Sequence, residues 1–282
     1  VVLVGQETQI KKELEKPGTT ANDLVKDGAC TIANASEVID MNDTPTAALK
    51  TKRDSSIAVG LNLHKDRKVD AFVSAGNTGA VMSASTLILG RVNGVGRPTI
   101  GALVPTAKDP CLLLDAGANV DCRPRHLFEF GAMGAIYVGA MLGRINPKVA
   151  LLSIGEEDSK GNEVTFEAMT MFRKSKLNFI GNVEGRDILK GDVDVIVCDG
   201  FVGNILLKFG ESVPEFFKSR FRGFADRSIV NKLTALLARN GLRTVMKELD
   251  YQEHGGVPLL GVNGVSIIGH GRSTPKAIKN MI

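Results

Sequence analysis

Apolar runs that end in glycine and small polar residues recur along the chain, with amphipathic stretches at helical spacing between them. From Val193 to Cys198 the run is apolar except for Asp194, the pattern of a strand buried on both faces of a parallel sheet. Asp199-Gly200 breaks it, and Gly203-Asn204 leads into Ile205, Leu206, Phe209 and Val213 at helical spacing. The same passage from strand to small polar residues occurs at Val73–Ala80, Leu112–Asp121, Leu151–Asn162, Phe179–Asp187 and Ser266–Thr274. Strands are predicted at Val1–Gly5, Thr31–Ala35, Val69–Ser74, Thr99–Val104, Leu112–Leu114, Val149–Ile154 and Asn178–Ile180, with a return to the sheet between Leu259 and Ile268. Helices are predicted at Thr8–Lys16, twice between Thr44 and His64, at Asn77–Leu89, from Pro124 to about Leu142, at Glu163–Lys174 and from Pro275. A short helical turn is expected at Arg186–Leu189, and Pro17–Gly28 reads as a polar loop.

This alternation predicts an α/β protein with a largely parallel sheet. Ligands of open α/β sheets sit outside the carboxyl ends of the strands, so six polar strand ends predict one composite cleft. A strand, a glycine turn and a helix N-terminus also make an anion site, because unpaired N–H groups and the helix dipole point at one spot. The other reading of Asp199–Asn204 is a turn whose Asp and Gly serve geometry alone.

From about Phe216 to Leu249 the strand signal vanishes. Ile229, Val230, Leu233, Leu236 and Leu237 fall on one helical face with Lys232 and Arg239 off it. Asn240-Gly241 is predicted to break the helix, after which Leu242, Val245, Met246 and Leu249 resume the stripe beside Arg243 and Lys247. Two short basic amphipathic helices of this kind either lie on an anionic membrane face or pack as a hairpin against the sheet or a second subunit.

Composition narrows the function classes. Charged residues make up 23% and hydrophobic ones 43%, an ordinary globular balance, and thirty-one glycines suit a fold rich in tight βα turns. A net charge of +4 without a clustered basic face argues against nucleic acid as a partner, and the flank Lys50, Lys52, Arg53 reads as a solvated face. Cys30, Cys111, Cys122 and Cys198 have no C-x-x-C spacing and read as buried reduced thiols of a cytosolic protein. No signal peptide and no apolar run of about 18 residues is present, so no membrane span is expected. The chain starts mid-strand at Val1 without Met, which leads us to expect a preceding segment.

A nicotinamide site would want G-x-G-x-x-G opening a helix, but Gly94-Val95-Gly96 runs into Arg97-Pro98, and Gly269-His270-Gly271 has Thr274 at the third glycine position. Neither G-x-x-x-x-G-K-[ST] nor G-x-S-x-G occurs. No metal site is expected, since Glu156, Glu157 and Asp158 are consecutive and the four His are far apart. What remains is a glycine-lined cleft with the amides Asn77, Asn119, Asn182 and Asn204, one Lys (Lys160) and one Arg (Arg186), an inventory suited to an oxyanion.

AGNTGA (Ala75–Ala80), LLDAGANVD (Leu113–Asp121), GEEDSKGNE (Gly155–Glu163), FIGNVEGRD (Phe179–Asp187) and DGFVGN (Asp199–Asn204), in this order, resemble the bacterial phosphate acyltransferases of phospholipid synthesis. The resemblance implies conversion of acyl-acyl-carrier-protein and inorganic phosphate to acyl phosphate, with no cofactor. It implies a three-layer αβα fold akin to phosphotransacetylases and isocitrate-dehydrogenase-like enzymes, one domain over residues 1–282 with a protruding helical insertion at about 216–249. A homodimer in the cytoplasm, peripherally associated with the membrane, is the implied state. Carried over by motif, Lys160 and Asn204 stand at the reacting phosphate and thioester as catalytic residues. Asn77, Thr78, Gly79, Asp115, Asn119, Asp158, Asn182, Arg186, Asp199, Gly200, Gly203 and His270 would bind substrate. His270 either protonates the leaving thiolate or serves the structure. Ile229, Leu233, Leu236, Leu237, Leu242, Val245 and Met246 would touch the membrane. One departure is that the family's first strand, ending in an Asp-Ala-Met-Gly-Gly type motif, is absent from this chain.

The residues fit such chemistry on their own terms. Phosphate is already an anionic nucleophile near neutral pH, so no Ser-His or Cys-His relay is required. Positioning can remove roughly 7–11 kcal/mol of barrier and one oxyanion donor about 3 kcal/mol. Two rivals stay open: a phosphotransacetylase using a coenzyme A thioester, and a non-enzymatic membrane-surface scaffold that binds acyl carrier protein.

Overall fold

The computed structural model describes residues 1–16, 21–248, 255–271 and 273–282, and it is an α/β protein with mostly parallel strand pairing. Two units are described in turn, Val1–Pro98 with Gly261–Ser273 and Met281–Ile282, and Thr99–Leu260 with Thr274–Asn280.

In the first unit β1 (Val2–Gly5) pairs in parallel with β2 (Thr31–Asn34). Between them lie α1 (Glu7–Leu14) and α2 (Ala21–Lys26). The sequence reads this second stretch as loop. It is helical because Ala21–Lys26 holds no Gly or Pro, and Gly28, at φ 72°, is what turns the chain out of the helix. After α3 (Pro45–Thr51) and α4 (Ser56–Lys65) comes β3 (Ala71–Ser74), followed by α5 (Thr78–Ile88). A β-carbon at Gly60 would lie 2.5 Å from the Phe72 ring, so α4 can rest on β3 only with glycine there. The partner of β3 is β10 (Val265–Ile268), parallel to it with Val265 beside Ala71 and Ile268 beside Ser74. Lys50 and Arg53 are exposed, and Lys52 is half-exposed but paired. Its Nζ bonds Asp43 at 2.6 Å and the Val38 carbonyl at 2.8 Å, and so ties down the loop before α3.

The second unit holds β4 (Thr99–Val104), β5 (Cys111–Leu114), β6 (Lys148–Leu152), β7 (Asn178–Val183), β8 (Val195–Val197) and β9 (Val257–Leu260), in the order β9-β4-β5-β8-β6-β7. The run β5-β8-β6-β7 is parallel throughout, and β4 is antiparallel to both its neighbours. Alternation along the strands divides the core. Leu112, Leu114, Val149, Leu151, Val195 and Val197 face α6 (Pro124–Leu142) and α7 (Glu163–Arg173), around Phe130, Val138 and Phe172. Cys111, Leu113, Ala150, Ile196 and Cys198 face the other way, toward Ile188 on a 3₁₀ turn (Gly185–Lys190) and Leu206 on α8 (Gly200–Ala225). Both faces are covered, which is why these strands read as continuous apolar runs.

Helix α8 runs unbroken from the turn after β8 through Pro214 to Ala225, and α9 (Ile229–Glu248) packs against it. The break expected at Asn240-Gly241 does not occur. Asn and Gly cost at most about 1 kcal/mol each relative to Ala inside a helix, and the helix formers on either side outweigh that.

Candidate functional site

In the second unit the parallel run places the ends of β5, β8, β6 and β7 on one edge. Asp115–Asn119, Asp199–Asn204, Gly155–Lys160 and Glu184–Arg186 follow from those ends. The sequence thus brings Asp115, Asn119, Asp158, Lys160, Asn182, Arg186, Asp199, Gly200, Gly203 and Asn204 to one edge of this unit.

Asp115 is the hub. It is fully buried, and its carboxylate accepts from the N–H groups of Ile100, Gly117, Ala118 and Asn119 and from the Asn119 side-chain amide, at 2.7–3.3 Å. Burial pushes its carboxyl above the ordinary range, and these donors pull it back. Asn119, assigned by its amide to ligand binding, spends that amide on Asp115, while its carbonyl accepts the Gly200 N–H at 2.7 Å.

The first turn of α8 presses directly on this knot. A β-carbon at Gly203 would overlap the Asp115 carbonyl oxygen, and one at Gly200 would lie 2.8 Å from the Asn119 backbone. Asp199 caps the helix, accepting the Val202 N–H at 2.8 Å. The helix N-terminus therefore carries an anion of its own, and Asp199, Gly200 and Gly203 each have a structural task. Asn204 is exposed and its side chain lies against Gly117, where a β-carbon would fall 3.3 Å away. With φ 127°, Gly117 holds a backbone conformation that residues with side chains rarely adopt.

Lys160 is exposed, and its stem lies over Gly155, where a β-carbon would fall 2.6 Å from Cγ. Two of the three acids of its loop are engaged elsewhere: Asp158 pairs with Arg173 at 2.5 Å and Glu156 with Arg186 at 3.7 Å. The Arg173 guanidinium holds the Asp158 carboxyl below the usual carboxylate range. Arg186 also bonds Glu184 at 3.0 Å. Asn182 is buried and donates to the carbonyls of Glu157 and Lys160, at 3.1 and 3.2 Å, fixing the loop that presents the lysine. Its Oδ1 is buried without a partner.

In the first unit β3 and β10 end side by side, with the Gly269 N–H donating to the Ser74 carbonyl at 2.8 Å. Asn77, Thr78 and Gly79 lie at the start of α5, and His270 follows β10. Asn77 is buried and fully engaged. Its Oδ1 caps α5 by accepting the Ala80 N–H, and its Nδ2 donates to the carbonyls of Asp40, Met41 and Asp43. Gly79 packs on Pro45, whose Cγ a β-carbon would approach to 2.7 Å, and Thr78 is exposed.

Sequence reasoning missed the receptor half of these contacts: the loop 40–43 that Asn77 holds, and the N–H groups that Asp115 collects. It also missed an apolar cavity beside α8, whose only signal was the stripe Leu206, Phe209, Val213.

The comparisons agree with one another. The family described as "Fatty acid synthesis protein" matches residues 1–282. The phosphate acyltransferase of Heliobacterium modesticaldum is 50% identical over all of this chain and 83% of its own length, and that of Moorella thermoacetica 47% identical over all of this chain and 81% of its own. Among solved structures, a phosphotransacetylase from Streptococcus pyogenes shares the fold, with a TM-score of 0.63 at 19% identity over 98% of this chain and 82% of that one. The chain belongs to the fatty acid synthesis protein family, alongside those phosphate acyltransferases.

Proposed function

We infer that this chain is a phosphate acyltransferase, converting an acyl thioester of acyl carrier protein and inorganic phosphate to acyl phosphate for phospholipid synthesis. The observation that carries the reading is its full-length identity of 50% with a relative of that name. A phosphate oxygen attacks the thioester carbonyl carbon, the carbonyl becomes a tetrahedral oxyanion, and the C–S bond then breaks. The proton of the phosphate ends on the departing thiolate, so acyl phosphate and free thiol are the products.

In this reading Lys160 holds the phosphate as a point charge, supported by its exposure and by the engagement of Glu156 and Asp158 with arginines. Asn204 donates to the oxyanion. Asp115, Asn119, Asp199, Gly200 and Gly203 hold Asn204 in place, Asn182 positions Lys160, and Asp158 and Arg186 set the charge around the loop. Asn77, Thr78, Gly79 and His270 are the first unit's contribution to substrate binding.

The apolar stripe of α9 reads as a peripheral contact with an anionic membrane face, and the active species as a homodimer. Ile229 and Leu237 are 81% and 86% exposed, and Leu233, Leu236 and Val245 are exposed with them. Leu242 is half-buried, and the side chain of Met246 lies outside the described residues, as does Leu249. No helix among the described residues is long and apolar enough to cross a membrane.

The deciding assay offers the purified chain an acyl-carrier-protein thioester or a coenzyme A thioester with phosphate. Acyl phosphate from the carrier thioester is the expected result. Turnover of the coenzyme A thioester alone makes the protein a phosphotransacetylase, and turnover of neither leaves the scaffold.

A further inference from the structure

The second unit contains an apolar cavity of about 430 Å³, within the size range of ligand pockets. Val104 and Leu113 line it from the sheet, Ile188 and Leu189 from the 3₁₀ turn, and Leu206 and Val213 from α8. The one charged residue in the lining, Glu211, is paired with Lys208 at 2.8 Å. Resting on the phosphate acyltransferase reading, we propose that this cavity receives the acyl chain of the substrate.

Two glycines mark the open side of the cavity. Gly185 and Gly210 both line the cavity. Neither has a positive φ, and a β-carbon on either would meet no atom within 4 Å. No turn and no close approach requires them, and Gly210 destabilises the helix interior relative to Ala. Both are exposed, so the cavity opens to solvent along them and a chain can enter from that side.

Continuity with the candidate site identifies the occupant. Leu113 stands two residues before Asp115 at the end of β5, and the 3₁₀ turn that contributes Ile188 and Leu189 also carries Arg186. Leu206, Gly210 and Val213 share one face of α8 over a rise of roughly 10 Å. A thioester carbonyl held at the strand ends of this unit would send its alkyl chain along this groove, where every lining residue except Glu211 is uncharged. Nothing polar in the acyl chain has to be desolvated there.

The test is chain-length selectivity. Gly210→Phe fills the cavity without meeting backbone, so kcat/KM for palmitoyl relative to butyryl thioester should fall at least about tenfold, the scale of discrimination a hydrophobic pocket obtains from a methylene or two. An unaltered ratio in the folded variant overturns the proposal. A second measurement does not depend on turnover: alkylation of the thiol introduced by Gly210→Cys should be slowed by palmitoyl thioester and not by butyryl thioester. Equal or absent protection, or protection that rises with protein concentration alone because a second copy covers the cavity, overturns it. If no thioester yields acyl phosphate but palmitoyl thioester still protects the thiol, the phosphate acyltransferase reading has failed and the acyl pocket stands.

Discussion

Lys160 stands in a loop where two of the three acids are taken by arginines. Arg173 takes Asp158 and Arg186 takes Glu156, while Lys160 makes no ion pair among the described residues. Lys160→Ala should therefore leave the fold intact and raise KM for phosphate at least about tenfold, which corresponds to about 1.4 kcal/mol. Near-normal phosphate kinetics would return the lysine to an ordinary solvated surface residue. Asp115 makes the opposite prediction. Its two oxygens meet only donors, so Asp115→Asn turns an NH₂ group toward an N–H in a fully buried site. We expect a loss of roughly 1–3 kcal/mol, read from urea denaturation. Equal stability would show that the knot does not need the carboxylate.

Among the elements, α9 carries an exposed apolar stripe, and the measurement that assigns it is flotation with anionic vesicles. Basic residues near such a surface contribute about 1 kcal/mol each. Leu236→Glu with Leu237→Glu should abolish vesicle binding while the oligomeric state and the activity of the unaltered protein persist. An unfolded or monomeric variant would make the stripe part of a packed interface instead. The same helix shows the reach of sequence reasoning. The strands β5, β6 and β8 were legible because burial on both faces leaves an unbroken apolar run. Asn77, Asp115, Lys160 and Asn204 were legible as strand-end residues because the turn follows the run directly. The continuity of α9 through Asn240-Gly241 and the helicity of α2 were not, because each depends on summed small preferences. Nor were the partners of Asn77 and Asp115, since groups 34 to 37 residues away, or across a neighbouring strand, are joined only by folding. The cavity was invisible for the same reason, as residues of β4 and β5 meet those of the 3₁₀ turn and α8, roughly 70 to 110 residues on, only in the fold.

At the scale of the molecule, the four thiols report on the two units. Burial pushes the Cys111 thiol up to about 12 and the Cys198 thiol higher still, so both are neutral at physiological pH and out of reach of alkylating agents. Their labelling in increasing urea should follow the opening of the second unit, and that of buried Cys30 the first. We expect coincident midpoints, because the chain passes from one unit to the other at Pro98, Leu260, Ser273 and Asn280, and neither unit is made of one continuous segment. Distinct midpoints would make them independent folding units. The pairing of β3 with β10 also sets a schedule. Residues 71–74 leave the ribosome roughly 10–40 s before residues 265–268, at about 5–20 residues per second. For that interval β3 waits without its parallel partner. Until β10 is made, β3 presents an open strand edge that another chain could pair with.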